Sequence, residues 1–274
     1  MRWERRQRAP GCLAWIVKKT AEALGIAEYH APLALAMDSV DHPAMVMSGA
    51  GWGALVGVMA AQLAAHGFTG IPSLLTAPAH RGLLKTLGQE WWMQRLYFKF
   101  FPCCRWAQPA VAGVLALRER HRLEPDAVAA VRVETFASAT RLATKGPRNT
   151  EEAQFSLPFL VACAVVRGRV TVKEVAGDGL VDPTIQRVAE RVEMDVDPAL
   201  EGRFPAEALA RVTVVTADGR RLSIGPLPAP GDADAPPSDV ELRDKFQDLA
   251  APILGETRSE SLLERILNCA KLDT

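Results

Sequence analysis

Apolar residues recur at helical intervals through most of the first third of the chain. From Leu13 to Leu24 they fall on one face of a helix, and Gly25 is its predicted end. An uncharged run from Ala44 to Ala65 predicts a second helix over residues 51–66, closed by a glycine. Prolines and glycines then divide residues 74–93 into short helical pieces. We therefore expect this part of the chain to be all-helical.

Strand patterns occur in the middle of the chain. Val128–Phe136 and the run Val212–Ile224 alternate apolar and polar positions, and the aromatic-rich segment Tyr97–Phe101 is also predicted to be a strand. Asp218 and Gly219 lie within the last run and predict a hairpin, because an Asp-Gly pair adopts the tight turn that suits paired strands. Helices are predicted between the strand segments, at residues 106–122, 151–167 and 182–192. The mixture predicts an α+β fold in which the three strand segments share one sheet.

The last part of the chain returns to a helical pattern after a loop. Residues 226–237 are rich in proline and glycine and are predicted to form a linker or a lid. Ser238 then caps a helix that runs to Leu254. An amphipathic pattern predicts a final helix over residues 257–272.

Composition narrows the range of functions. The chain has 32 basic and 32 acidic residues, so its formal net charge is zero and no overall field attracts nucleic acid or an anionic membrane. Its 274 residues, of which 49% are hydrophobic, suffice for an enzyme-sized core. We therefore expect a globular protein whose charge-based function is local, with no nucleic-acid partner.

The uncharged run from Ala44 to Ala65 raises the question of a membrane span. Alanine and glycine supply most of the run and insert weakly into lipid, and Gln62 lies inside it. We interpret the run as a buried helix of a bundle, in which small residues allow close packing. No membrane partner is expected.

The cysteine and glycine patterns predict neither a metal site nor a cofactor. Cys103 and Cys104 are adjacent, which is a poor geometry for a disulfide, and no Cys-x-x-Cys pair with histidine partners occurs. A reducing, cytoplasmic location fits this usage. The glycines at residues 49–53 are spaced as in a dinucleotide-binding loop, but no acidic residue that could bind a ribose lies between His42 and Gln89. We therefore expect no nucleotide cofactor.

Lys99 lies among aromatic residues and is the first candidate for a functional side chain. Because burial of an unpaired charge is costly, Lys99 keeps its ammonium only where an anion or water reaches it. The alternative is a lysine whose stem packs on Phe98 and Phe100 and whose ammonium reaches solvent. The thiols of Cys103 and Cys104 also allow two interpretations: either a following helix N-terminus lowers their pKa, or they pack against Trp106.

Two segments together resemble the signature of the MmgE/PrpD family. The first contains Lys99, Pro102 and Cys104 with aromatic residues between them, and the second runs from Ala153 to Pro158. Further matching segments follow in order along the chain, at residues 51–70, 126–133, 182–183, 218–220, 231–232 and 245–246. The family includes 2-methylcitrate dehydratase, cis-aconitate decarboxylase and iminodisuccinate epimerase.

The resemblance implies a particular domain organisation. A partial all-α helical domain would comprise residues 10–93, completed by residues 238–274. An α+β lid-like domain of residues 94–237 would be inserted into it. In the family the active site lies in the cleft between these two domains.

The resemblance also implies a chemistry. Family members remove a proton next to a carboxylate of a small polycarboxylic acid without a cofactor, and then dehydrate, decarboxylate or epimerise it. On this chain the resemblance assigns catalysis to Lys99, which would hold a substrate carboxylate and stabilise developing charge. Arg105, Gln108 and Ser156 would be its substrate-binding neighbours. The expected function is therefore a lyase or isomerase similar to 2-methylcitrate dehydratase, a hydro-lyase, with a small polycarboxylate as its substrate.

The chain departs from the family in length. Family members are considerably longer, and the N-terminal part that contributes an aspartate and histidines to the cleft has no counterpart here. A histidine that often follows the Cys-Arg pair is replaced by Gln108. The alternative function is therefore a truncated, catalytically incomplete member that acts as a structural or complementing subunit. Because missing helices would leave apolar faces uncovered, we also expect a homodimer or a complementing chain to contact residues 44–65.

Overall fold

The contacts along the chain divide it into two units, residues 1–91 and 92–274. The computed structural model describes residues 10–33, 35, 37–46 and 49–269. The domain boundaries expected from the family resemblance stay a prediction, which this division does not test.

Small residues join the main helices of the first unit. The unit contains α1 (Pro10–Tyr29), α2 (Asp38–Asp41), α3 (Gly49–Ala65) and 3-10 segments at Leu74–Thr76 and Pro78–Leu84. α1 packs against α3, with Ile26, Ala60 and Ala64 buried at the contact. The helical prediction for this region is confirmed. Among the described residues, no helix is both long and apolar enough to cross a membrane.

Gly25 does not end α1, as the sequence predicted, because the helix continues to Tyr29. The backbone of Ile71 lies so close to Gly25 that a Cβ there would overlap the Ile71 carbonyl oxygen. The backbone N–H of Gly70 donates to the carboxylate of Glu22 at 2.5 Å and fixes the same contact. Gly25 therefore allows a close backbone approach inside a helix, a use of glycine that a linear pattern does not distinguish from a helix stop.

The second unit contains a mixed sheet, which has four strands within the described residues. They are β1 (Val128–Thr135), β2 (Val192–Val196), β3 (Leu209–Thr216) and β4 (Arg221–Pro228), in the spatial order β2-β1-β3-β4. β1 is parallel to β2 and antiparallel to β3. β3 and β4 form the predicted hairpin, at whose turn Gly219 has a φ of +83°. The α+β prediction is confirmed.

One predicted strand is absent from this sheet, and one observed strand was not predicted. The prediction that Tyr97–Phe101 is a strand of the same sheet is wrong. The N–H of Phe98 donates to the carbonyl oxygen of Gly231 in a loop, and within the described residues the aromatic segment pairs with no strand of the sheet. β2 lies at the end of the predicted helix 182–192, which stops before it. Its five residues are too few for periodicity alone to separate a strand from a helix end.

Helices account for most of the remaining described part of the second unit. They are α4 (Gln108–His121), α5 (Ala137–Thr140), α6 (Thr150–Gln154), α7 (Leu157–Arg167), α8 (Val172–Val175), α9 (Asp178–Val181), α10 (Pro183–Ala189), α11 (Pro198–Glu201), α12 (Asp239–Leu254) and α13 (Glu256–Leu267). α4 packs on β3 and β4, and α7 packs on α4 and β2. Gly113 allows this approach, since a Cβ there would lie 2.9 Å from the side chain of Val212.

The single helix predicted over residues 151–167 is in fact two helices, α6 and α7, which are separated at Phe155 and Ser156. The side chain of Asn149 caps α6. Ser156 caps α7, in whose first turn Pro158 lies. Proline suits the first turn of a helix and not its interior, so Pro158 marks the new start.

The C-terminal helices follow the predicted pattern closely. Ser238 caps α12, and Glu241 completes its capping box. α12 packs on α13, which ends at Leu267, while the predicted end at residue 272 lies outside the described residues. The predicted linker starts later than expected, because β4 continues to Pro228.

Candidate functional site

Lys99 lies in a segment without regular secondary structure. The segment connects a 3-10 turn at Trp92–Arg95 to another at Arg105–Ala107. Lys99 is exposed, and it forms no hydrogen bond or ion pair with any residue in the described ranges. Its ammonium is therefore available to an anion from solution.

The loop that follows β4 fixes the backbone beside Lys99. The N–H of Phe98 donates to the carbonyl oxygen of Gly231 at 3.0 Å. Gly231 has a φ of +81°, and a Cβ there would overlap the carbonyl oxygen of Phe98 and lie 3.0 Å from the ring of Phe100. Only glycine combines this conformation with so close an approach. The loop and the Lys99 segment therefore pack closely against each other at Gly231 and Phe98.

Arg105 forms a second connection between the same loop and the same segment. Its guanidinium donates to both carboxylate oxygens of Asp232, from Nη2 at 2.7 Å and from Nε at 3.1 Å. Both side chains are mostly buried, at 21% and 18% exposure, and the guanidinium lies 4.9 Å from the ring centroid of Tyr97. Paired contacts of this kind are strong and fix orientation. They also neutralise the charge of Arg105.

Gln108 holds the end of the Lys99 segment against the start of α4. Its side chain is buried at 1% exposure. Its Oε1 accepts from the N–H of Phe101 at 3.2 Å, and its Nε2 donates to the carbonyl oxygen of Phe101 at 2.7 Å and lies 3.2 Å from the sulfur of Cys103. These hydrogen bonds hold the main chain of Phe101 in place, two residues from Lys99.

Ser156 occupies a structural position at the start of α7. Its hydroxyl accepts from the N–H of Phe159 and donates to the carbonyl oxygen of Thr144, and the residue is fully buried. The helix junction before it meets the Lys99 segment, since the N–H of Cys104 donates to the carbonyl oxygen of Gln154 at 2.8 Å. This bond links the two segments that resemble the family signature.

The two adjacent thiols are held in their neutral form. Burial raises the pKa of Cys103 far above its ordinary value, the neighbouring Cys104 raises it further, and the ammonium of Lys99 offsets only part of the increase. Burial also raises the pKa of Cys104, against smaller opposing effects of the Trp106 N–H, Lys99 and Arg105. Cys103 is 3% exposed. A lowered pKa does not fit this environment, and packing of the two thiols against Trp106 stays a prediction.

Three of the four predicted site residues are already close together in the sequence, and the structure connects the fourth to them. Lys99, Arg105 and Gln108 lie within ten residues of each other, and Ser156 is connected to them through the bond between Cys104 and Gln154. Contact of any of the four with a substrate stays a prediction. Sequence reasoning did not single out Asp232 as a partner of this segment, although Gly231 and Asp232 belong to the set of matching segments.

A comparison with protein families identifies the family to which this chain belongs. The profile of the MmgE/PrpD C-terminal domain matches residues 101–269, which is more than half of the chain. The chain belongs to the MmgE/PrpD family. No curated protein sequence matches it.

The MmgE/PrpD match includes Arg105, Gln108, Ser156 and Asp232, and it begins two residues after Lys99. The family assignment therefore covers the residues that hold the Lys99 segment in place. Across the described ranges, no group of three histidine, cysteine, aspartate or glutamate side chains could hold a metal ion.

Proposed function

We propose that the chain is a cofactor-independent lyase or isomerase of the MmgE/PrpD type that acts on a small polycarboxylic acid, with dehydration of a 2-methylcitrate-like substrate as the first reaction to test. The observation that carries this proposal is the exposed ammonium of Lys99 on a segment that main-chain and ionic contacts hold in place. A positioned cation of this kind binds carboxylates.

The proposed role of Lys99 follows from where charge develops during the reaction. Removal of a proton from the carbon next to a carboxylate delocalises negative charge onto the carboxylate oxygens. An ammonium already in contact with those oxygens stabilises the charge without reorganisation. Arg105 is neutralised by Asp232, so of these two cations Lys99 supplies the net positive charge. Arg105, Gln108 and Ser156 remain proposed neighbours of the bound acid.

Among the described residues of the second unit, no histidine that could remove the proton lies near Lys99. His121 is the one histidine in the sequence of residues 92–274, and it lies at the far end of the 14-residue helix α4 from Gln108, about 20 Å away at 1.5 Å per residue. This distance favours a second candidate function: a catalytically incomplete subunit whose site is completed by a separate chain that supplies the base.

The remaining parts of the proposal concern domains, partners and location. We propose a helical domain of residues 10–93, completed by residues 238–274, with residues 94–237 as an inserted lid-like domain. A homodimer or a complementing chain would contact α3, where Trp52, Leu55 and Val58 are 46–59% exposed. A cytoplasmic location agrees with the free cysteines among the described residues.

The proposal is tested by measuring binding and turnover with 2-methylcitrate, cis-aconitate and iminodisuccinate. Lys99→Met keeps the side-chain stem and removes the charge. We expect it to weaken binding and to lower any turnover by about two to three powers of ten, the usual effect of one lost electrostatic contact. Lys173→Met is the matched control, because Lys173 is also exposed and lies on α8; it is expected to leave both quantities unchanged.

The outcomes separate the two candidate functions. Turnover that depends on Lys99 supports the enzyme. Binding that depends on Lys99 without turnover of any of the three acids supports the complementing subunit. If none of the acids binds, or if they bind equally to the wild type and Lys99→Met, the proposal is wrong.

A further inference from the structure

Asp232 lies on a loop whose first residues are packed and not open to solvent. Ala229 is 2% exposed, Gly231 is buried, and the carbonyl oxygen of Gly231 accepts the N–H of Phe98. From this fixed backbone the carboxylate of Asp232 reaches both donor nitrogens on one edge of Arg105. The loop predicted as a linker or lid therefore begins as an anchored support for the Lys99 segment.

If charge alone is considered, the carboxylate of Asp232 weakens the binding of an anion at Lys99. Negative charge close to an anion site weakens anion binding by Coulomb repulsion. Asp232 follows the residue that contacts Phe98, the neighbour of Lys99, and it cancels the positive charge of Arg105, which would otherwise attract the same anion. Its presence there calls for a contribution that outweighs this lost attraction.

We propose that Asp232 is a positioning residue, which acts through Arg105 to hold residues 97–105 so that the ammonium of Lys99 meets a substrate carboxylate. This inference rests on the proposed function of Lys99. The two contacts of Asp232 fix the orientation of the guanidinium, and the guanidinium lies on the ring of Tyr97, two residues before Lys99. Together with the bond between Phe98 and Gly231, they hold both sides of Lys99. A binding group that is fixed before the ligand arrives loses less entropy when it binds.

The positioning role differs from one in which the carboxylate of Asp232 occupies Arg105 until a substrate carboxylate displaces it. In that second role a rotation of the Asp232 side chain releases Arg105, while the buried Gly231 and its bond to Phe98 stay in place. The two roles predict opposite effects of removing the carboxylate. Removal weakens anion binding if Asp232 positions Lys99, and it strengthens binding if Asp232 competes with the anion.

The test measures the affinity of the full chain for tricarballylate, a tricarboxylate probe, by isothermal titration calorimetry. Asp232→Asn is expected to weaken binding by about tenfold through lost pre-organisation, although it removes a negative charge. Asp232→Glu, which keeps the carboxylate, is expected to restore most of the affinity. Asp234→Asn is the matched control, because it removes the same charge from an exposed residue two positions away; its affinity is expected to be unchanged or slightly higher.

A second variant covers the case in which Asp232→Asn does not fold, as judged by circular dichroism. Arg105→Lys keeps the charge but loses the two-pronged geometry, so it is also expected to weaken binding about tenfold, while Coulomb forces alone predict no change. Unchanged or tighter binding in the folded Asp232→Asn variant overturns the positioning role. Lys99→Met separates this result from a failure of the proposed function. If Lys99→Met weakens binding and Asp232→Asn does not, only the positioning role is wrong. If Lys99→Met binds the probe as tightly as the wild type, the proposed function of Lys99 is wrong too.

Discussion

Gln108 is a buried polar side chain that stabilises the main chain next to Lys99. Its carboxamide is buried, and both of its polar atoms contact the main chain of Phe101. A buried polar group with satisfied hydrogen bonds stabilises the local backbone, and loss of one partner leaves the other without compensation. At this position Gln108 therefore determines the conformation of the residues that follow Lys99.

Gln108→Met tests this contribution, since methionine has a similar shape and lacks the carboxamide. Without its partners the main chain of Phe101 is expected to lose about 1–3 kcal/mol of local stability. Hydrogen exchange measured by NMR should show faster exchange at the Phe101 amide, with little change at residues of β3. An unchanged exchange rate at the Phe101 amide would contradict this stabilisation by Gln108.

Sequence patterns predicted elements whose signals are local and missed those that depend on a partner. The hairpin at Asp218–Gly219 and the helix after Ser238 were predicted because a turn pair and a capping residue act on their own neighbours. Tyr97–Phe101 has a strand-like run of aromatic residues, but only the fold shows that it contacts a loop. For the same reason the sequence selected Lys99 as a site residue and did not select Asp232, which is 127 positions from its partner Arg105.

Glycines within the two main helices of the first unit are predicted to behave in opposite ways. In α1, Gly25→Ala places a Cβ against the carbonyl oxygen of Ile71 and is expected to destabilise the unit by about 1–3 kcal/mol. In α3, the space that an added methyl group would occupy at Gly53 is open, so Gly53→Ala is expected to stabilise the helix by up to about 1 kcal/mol. Urea unfolding of both variants measures the difference. Equal effects would contradict the close contact at Gly25.

The helix cap at α8 predicts a dependence of stability on acid pH. Burial raises the pKa of Glu174, but hydrogen bonds from Thr171 and Arg169 outweigh burial and leave the pKa below its ordinary value of 4.5. A carboxyl whose pKa is lowered by folding stabilises the fold above its unfolded pKa and loses that contribution as the pH falls through its folded pKa. The melting temperature of the wild type should therefore fall below about pH 4.5 more steeply than that of Glu174→Gln. Parallel curves for the two proteins would contradict this assignment.

At the scale of the whole molecule, α3 has exposed apolar side chains in addition to those that α1 buries. Ala60 and Ala64 are buried against α1, while Leu55 and Met59 are about half exposed. A helix that is apolar nearly all round is typical of a bundle interior. We therefore expect the face to be covered by a second copy or another chain.

Light scattering coupled to size exclusion tests this expectation at micromolar concentration. The wild type is expected to elute as a dimer, and Leu55→Lys combined with Met59→Lys is expected to give a monomer, because lysine is costly to bury without a partner. Val240→Lys is the control, since Val240 is an exposed apolar residue of α12. A monodisperse wild-type monomer would count against the interface.

The most direct measurement of the central claim is an NMR titration of the side-chain signals of the lysines with tricarballylate, in which Lys99→Met assigns the signal of Lys99. The account predicts that the Lys99 signal moves and saturates with the dissociation constant found by calorimetry, while the signal of Lys173 stays in place. A saturating titration in which the Lys99 signal does not move, or in which all lysine signals move together without saturation, would contradict the claim that Lys99 binds a substrate carboxylate.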